Sequence, residues 1–452
     1  MMHSKCAAVL ILSLIVSIYP CLSGCDRSAA DQPENSAAPT NSSVKEIANS
    51  DSETSTESAD DELTPAQMEE MRRLESLGYI GGVEDAPEES DVTIYDEEAC
   101  WNGVNFVLSS HGREAYLMDM EGETLHTWRY EQENTQDHEK IPALIFRHWY
   151  FRKALPLPNG DVIAVLGFPH GKAVPKNYPN VGMARLDKDS NPLWTYAGKA
   201  HHDFDVRADG TIVTLTHEAR VNPRIREEKP VLEDFVTVLD ANGNELETMS
   251  VYECMVNGGC EDLIAKVKER TERDGDILHC NSLQILDGAH ADMTPAFKAD
   301  DALISIRELH AVIVLDLDER KVTWSHSGEF RMQHDAKILD NGNLMLFDNL
   351  GCRKASAVRE IDPSSGEEVW IYPGSPEYAF SSHEVGACYR LPNGNTLIVE
   401  SVKGKAFEVL PDGERVWEYV NPHRTGANDQ RIAQLMDLMR LGPEYSLDWL
   451  KN

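Results

Sequence analysis

From about residue 100 onward, apolar residues come in short bursts separated by turns built from Asn, Asp and Gly. The stretch Leu155-Pro156-Leu157-Pro158-Asn159-Gly160-Asp161-Val162-Ile163-Ala164-Val165 shows the pattern, and Asp209-Gly210, Asp287-Gly288, Asn341-Gly342 and Asn393-Gly394 repeat its turn. Asn-Gly and Asp-Gly accept positive φ, so between apolar runs they are the strongest short signal for a β-hairpin. Each unit then adds a third strand, a second polar turn and a fourth strand that closes on an aromatic, at Trp128, Trp194, Trp324, Trp370 and Trp417. The double gap between Trp194 and Trp324 holds a unit that closes without Trp, at Leu246-Glu247-Thr248-Met249-Ser250. Six units of roughly 40–65 residues match the period of four-stranded propeller blades. Helical patterns between the strands are missing, which excludes an α/β fold. A β-sandwich is the alternative, but six repeats are better spent closing a ring. The pattern therefore predicts an all-β chain with a six-bladed β-propeller over residues 100–424, and Trp residues that each seal one blade against its neighbour. Helical spacing at Ile432, Leu435, Leu438 and Met439 predicts a helical cap over residues 425–452.

Residues 1–99 follow other rules. Lys5 precedes an apolar stretch over residues 6–18, as in an export signal. Leu22-Ser23-Gly24-Cys25 resembles the lipobox of bacterial lipoproteins. That resemblance implies a signal over residues 1–24, cleavage before Cys25, acylation of its sulfur, and a lipid-anchored protein on the periplasmic side of the cell envelope. Residues 25–62 lack any apolar period and predict a disordered acidic tether. Within the linker of residues 63–99, Thr64 as N-cap and Pro65 at the first helical position predict a short helix to about Leu77, stopped by Gly78.

Charge narrows the range of partners. The 452 residues carry 42 Lys and Arg against 77 Asp and Glu, a net −35, and residues 26–98 alone hold −17. Such a balance excludes a nucleic-acid binder working through a basic surface. After the N-terminus no apolar run reaches 18 residues, which excludes a polytopic helical membrane protein. Beyond Cys25 stand Cys100, Cys254, Cys260, Cys280, Cys352 and Cys388, an even number that permits disulfides in an oxidising compartment. Cys254 and Cys260 flank Met-Val-Asn-Gly-Gly, a stretch read as flexible that could close a small ring. Neither has a CxxC partner, so no zinc site is expected, nor any other metal or cofactor.

The repeat register also shows where side chains converge. A blade's innermost strand lines the central channel, and its start lies at the same rim as the end of the second strand. Inner strands are predicted to begin at His202-Asp203, His279-Cys280-Asn281, His334-Asp335 and His383-Glu384. His202 and His334 each precede their turn glycine by eight positions, His279 by nine and His383 by eleven. Second strands end at His217, Arg307 and Asn349. Clustered imidazoles serve metal binding, acid–base or nucleophilic chemistry, or anion recognition. Arg307 on that rim repels a cation and suits an oxyanion, which its planar fork can hold.

These residues resemble the bacterial arylsulfotransferases, six-bladed propeller enzymes that work without a nucleotide donor. The matching pieces are His201-His202-Asp203, Ile277-Leu278-His279-Cys280-Asn281-Ser282, Ile304-Ser305-Ile306-Arg307 and Gln333-His334-Asp335-Ala336. The resemblance implies sulfuryl transfer from a small aryl sulfate to a phenolic acceptor through a sulfated histidine. His334 matches the nucleophile, and His202, His279, Asn281 and Arg307 match the supporting set. Cys254 and Cys260 have the spacing of a family disulfide but lie before the His279 strand rather than the His334 strand. Better-known members add an N-terminal β-domain and dimerise, where this chain has a lipobox, a tether and a short helix. Two other readings stay open: a surface-tethered propeller that only binds, and a metal- or quinone-dependent propeller oxidoreductase.

Overall fold

The apolar bursts form antiparallel strands, and the turn glycines hold the hairpins as their sequence demands. Gly160, Gly210, Gly288, Gly342 and Gly394 all have φ between 78° and 91°, a conformation closed to most other residues. The computed structural model describes residues 63–75, 84–131, 149–167, 182–270, 275–352, 355–375, 378–426 and 428–451. Among them the strands build six antiparallel sheets of four or more strands, arranged as a six-bladed β-propeller. Blades 2 to 6 take residues 150–196, 200–250, 280–326, 334–372 and 387–420, each with its first strand innermost. The signal of residues 1–24, the lipidation candidate Cys25 and the tether of residues 25–62 lie outside the described residues. The helix Pro65–Glu75 forms where expected, with Thr64 Oγ1 accepting from the Gln67 amide at 3.2 Å.

Blade 1 corrects the predicted C-terminal cap. Residues Leu435–Leu441 are not helical but form its innermost strand, paired with Val104–Ser109. The strand is buried on both faces, so its apolar residues run on without alternation, and a short apolar run cannot be assigned by period alone. The C-terminal strand thus completes the blade begun near the N-terminus and closes the ring. The propeller also begins earlier than residue 100, because Asp91–Tyr95 adds a fifth strand to the outer edge of blade 6.

A second correction lies between blades 3 and 4. The stretch read as a flexible ring is a helix, Val251–Asn257, followed by a second helix, Glu261–Arg270. Ser250 caps the first by accepting from the Glu253 amide, and the Cys260 amide donates to Met255 O at 3.0 Å. These backbone bonds hold the turn without a covalent tie. Both thiols are free, Cys254 buried among the apolar side chains between blades 3 and 4 and Cys260 packed at their edge.

The tryptophans act as the repeat implied. Four of the five indoles donate from Nε1 to a turn of the next blade: Trp128 to Gly160 O, Trp194 to Ala241 O, Trp370 to Pro411 O and Trp417 to Met120 O. Trp324 packs edge-on to Phe297 instead. Trp128 and Trp417 are wholly buried, and loss of such a side chain typically costs about 3–5 kcal/mol. Nearer the axis, side chains bond across the seams between blades. Asp203 Oδ2 accepts from the Leu283 amide (2.9 Å), Ser282 Oγ from the Ala336 amide (3.0 Å) and Asp335 Oδ2 from the Cys388 amide (2.7 Å). Between blades 2 and 1 the tie is Lys153 Nζ to Asp437 Oδ2 at 2.8 Å. These bonds fix the inner strands, and therefore the channel wall, to one another.

Candidate active site

Five of the six inner strands break register at the same level. The extra residue is Arg152 in blade 2, Asn281 in blade 4 and Met436 in blade 1; blade 3 bulges over 201–203 and blade 5 just after His334. A bulge turns a side chain out of the regular alternation, and here it helps aim these residues at the axis. Backbone strain accompanies it, with φ of 58° at His202, 53° at His279 and 52° at Asp335. Non-glycine residues held in this region cost about 1–3 kcal/mol each and cluster at functional sites.

The channel wall therefore has two layers. Arg152, His202, Asn281, His334, Gly386 and Met436 form one, and Lys153, Asp203, Ser282, Asp335, Ala387 and Asp437 the next. Gly386 supplies no side chain because a Cβ there, at φ 116°, would lie 2.6 Å from the Phe347 ring. The second layer is a floor of paired charges. Burial pushes the Asp203 carboxyl up to about 6 despite the Lys153 charge nearby.

His334 is 4% exposed, and its protonation is set by its neighbours. Its Nδ1 lies 2.8 Å from Asn349 Oδ1 and 3.1 Å from Met332 O. Asn349 Nδ2 donates to the carbonyls of Ser382 and Val385, at 2.8 and 2.6 Å, so its oxygen must face the ring. An amide oxygen only accepts, hence Nδ1 carries the proton and Nε2 keeps its lone pair. Burial, joined by the charges of Arg307 and Arg152, holds the ring's pKa well below its ordinary value, against the opposing hydrogen bond that the ring donates to Asn349. The ring should thus stay neutral, with a proton on Nδ1 alone, from about pH 8 to about pH 6. A nitrogen-15 spectrum of the ring would show this, and protonation of His334 at its ordinary value would contradict it.

The expected supporting residues surround this ring unequally. His202, 2% exposed, lines the same wall, and its ring centroid is 4.9 Å from that of His279. Burial, then Arg152 and the neighbouring imidazoles, drives its pKa well below the ordinary value. His279 places Nδ1 2.7 Å from Asp276 Oδ2. Burial alone would raise the Asp276 carboxyl, but His279 and Arg307 outweigh it and hold it below the ordinary range. Asn281 Nδ2 donates to Gln333 O at 2.8 Å, while its buried Oδ1 has no hydrogen-bond partner among the described residues. Gln333 itself is fully buried and donates to Ile306 O and Ala311 O. Asn281 and Gln333 together anchor the peptide preceding His334. Arg307 opens a single 3₁₀ turn at the end of the second strand of blade 4, and its guanidinium pairs with Glu308.

The sequence reading missed Arg152. Its signal was present: Arg152 precedes Gly160 by eight positions, the register of His202 and His334. Histidine marks this level in blades 3 and 5, and this blade carries Arg instead. Arg152 is buried, and its Nε has no hydrogen-bond partner among the described residues. His383, by contrast, does not open an inner strand. It is exposed, four positions before Ala387–Arg390, and lies outside the channel wall. The residue eight before Gly394 is Gly386. His217 is half-buried and stacks on His201 with centroids 4.5 Å apart.

The sequence model of the Arylsulfotransferase (ASST) family matches residues 153–422, more than half of the chain. The chain belongs to this family. Membership gives it a sulfotransferase-type function, and the ASST match includes all five expected site residues. No curated protein matches the chain. Among solved structures this ASST-family chain is similar to a protein of unknown function from Bacteroides caccae, at 11% identity over 75% of this chain and 98% of that one, with a TM-score of 0.48. It is also similar to a streptogramin B lyase (10% identity, 78% and 98% covered, TM-score 0.39) and to apo AztD from Citrobacter koseri (11%, 76% and 99%, 0.36). At these scores the likenesses carry no functional argument.

One other cluster of ligating groups stands out among the described residues. His111, Glu114 and His423 bring donor atoms within 4.8 Å of one another, away from the channel wall. The two imidazoles are stacked, 3.3 Å apart and 7° from parallel. A ring nitrogen's lone pair lies in its ring plane, so one ion cannot meet both rings as placed. Glu114 is instead engaged by His111 and Arg129, which bring its carboxyl down to about 2 despite burial.

Proposed function

We propose that this channel transfers a sulfuryl group from an aryl sulfate to a phenol, through a covalent intermediate on Nε2 of His334. The observation that carries the reading is the fixed lone pair on that atom: Asn349 holds the proton on Nδ1, and burial, with two arginine charges, favours the neutral ring. A neutral imidazole is a nucleophile and imidazolium is not.

The donor's sulfate is an anion and meets Arg152 in the channel wall, with the charge of Arg307 also bearing on the nucleophile. Nε2 attacks sulfur in line with the departing phenol oxygen. Charge spreads over the three equatorial oxygens and the leaving oxygen, as in phosphoryl transfer. Arg307, Arg152 and His279 are the groups of the right chemistry to stabilise it. Asn281 acts through the peptide before His334. His202, two blades away on the same wall, handles the phenol proton. The acceptor then repeats the step in reverse.

The test is turnover of 4-nitrophenyl sulfate with phenol as acceptor. Nitrophenol release that needs the acceptor, with parallel double-reciprocal plots, is the expected result for a covalent two-step transfer. Failure of a broad panel of aryl sulfates to turn over would leave a binding propeller as the better reading.

A further inference from the structure

The channel wall has a second row behind it, formed by His201 and Asp234. His201 Nδ1 lies 2.7 Å from His202 Nδ1, with the two rings nearly perpendicular at 88°. On its other side His201 Nε2 lies 3.3 Å from Asp234 Oδ1. The stacked ring of His217 braces His201 from one face. Asp234 is 2% exposed; its Oδ1 also accepts from the Cys280 amide at 3.3 Å, and its Oδ2 has no hydrogen-bond partner among the described residues. A carboxyl and two imidazoles thus follow one another toward the channel, the first pair within ion-pair distance and the second within hydrogen-bond distance.

We propose that Asp234, His201 and His202 form a proton relay that stores the proton exchanged between the donor phenol and the acceptor phenol. The proposal rests on the sulfuryl-transfer reading and adds to it the place where the proton waits.

Two nitrogens 2.7 Å apart share one proton, so one ring donates and the other accepts. That leaves two self-consistent arrangements. In the first, the Asp234 carboxyl is protonated and donates to His201 Nε2, His201 Nδ1–H donates to His202 Nδ1, and His202 carries its proton on Nε2. In the second, Asp234 is ionised and accepts from His201 Nε2–H, His201 Nδ1 accepts from His202 Nδ1–H, and His202 Nε2 is a base. Neither arrangement puts a positive charge on an imidazole.

That property matters here. A neutral imidazole acting alone as an acid would become an imidazolate, and imidazolium is disfavoured by burial and by Arg152. The relay supplies the missing proton from Asp234, whose carboxyl burial pushes up. In the first half-reaction the S–O bond to the donor phenol breaks as the bond from His334 Nε2 to sulfur forms. The departing oxygen takes the proton of His202 Nε2, one proton shifts along each link, and Asp234 ends ionised. In the second, the acceptor oxygen bonds to sulfur, the N–S bond breaks, the phenol proton passes to His202 Nε2, and Asp234 ends protonated. Protons and charges balance over the cycle with no other reactant.

His201 and Asp234 are positioning residues, so their test must separate proton transfer from structure. The rate of His334 adduct formation is to be measured with phenyl sulfate and with 4-nitrophenyl sulfate, in the unsubstituted protein, Asp234→Asn and His201→Gln. Phenolate is a poor leaving group and needs the proton, whereas nitrophenolate leaves without it. The relay predicts a loss of about 10²-fold in both variants with phenyl sulfate and less than about 5-fold with 4-nitrophenyl sulfate. Equal losses with both donors would overturn the relay and leave a structural role. A proton inventory on the unsubstituted protein with phenyl sulfate needs no variant: a curved plot is expected, and a linear one, reporting a single proton in flight, would also overturn it. If the unsubstituted protein forms no adduct with either donor, the sulfuryl-transfer reading falls and the relay with it.

Discussion

His334→Asn should abolish turnover and leave no adduct on the protein. Brief exposure of the unsubstituted chain to an aryl sulfate without acceptor should add roughly 80 Da, the mass of SO₃, at His334 alone. Loss of a covalent nucleophile typically lowers kcat by on the order of 10⁴-fold or more. The fold should tolerate the change, because His334 faces the channel and its ring hydrogen bonds run to Asn349 and the Met332 carbonyl. One such bond contributes about 1 kcal/mol, so Tm should move by only about 2 °C in a domain of this size. Intact-mass and peptide mass spectrometry, with a melting curve, check both halves. Full activity in the variant, or an adduct mapped to His202 or His279, would assign the nucleophile elsewhere.

Arg307→Lys should lower kcat by about 10²–10³-fold, the usual loss when a donor to transition-state charge is removed. Lys keeps the charge, but its compact ammonium cannot hold two sulfuryl oxygens in one plane as a guanidinium does. Two further losses act in this protein. Glu308 holds Arg307, and Arg270 in turn pairs with Glu308, so the fork is oriented by a chain that a lysine would not reproduce. Arg307 also leads the charges that keep His334 neutral, and a displaced ammonium would weaken that effect. Arg152→Lys should act in the same direction, since Arg152 bears on both His202 and His334. Single-turnover rates with 4-nitrophenyl sulfate measure the step directly. A near-normal rate in either variant would remove that arginine from the site.

The repeat was legible because it is local. Turn glycines, alternating strands and closing tryptophans recur at fixed offsets, and each reflects the backbone or packing needs of one blade. His202, His279, Asn281, Arg307 and His334 could be picked out because repeated units place equivalent residues at one level. Arg152 was readable by the same offset from Gly160, but a search for histidine passed over it. His383 was misplaced because its distance from Gly394 was stretched to fit, whereas the structure keeps eight positions and puts Gly386 there. The helices at 251–270 were missed because Gly258 and Gly259 suggested a loop, although Ser250 and Glu253 form a cap that was open to reading.

The amino-acid sequence by itself determined the blade count, the level at which the candidate site residues lie and the types of chemistry open to them. Those follow from short-range periodicity, which is written along the chain. Tertiary structure alone decided that Leu435–Leu441 closes the ring with Val104–Ser109, since that pairing joins segments more than 300 positions apart. It alone supplied the bulges that aim Arg152, His202 and Asn281 at the axis, because a bulge is a mismatch between two strands and neither strand carries it alone. It alone fixed the tautomer of His334. That depends on which way the Asn349 amide faces, and the carbonyls of Ser382 and Val385, in the connection leading into the next blade, turn it. Protonation in a buried site is a property of the surrounding dipoles and charges, and these come together only when the blades close.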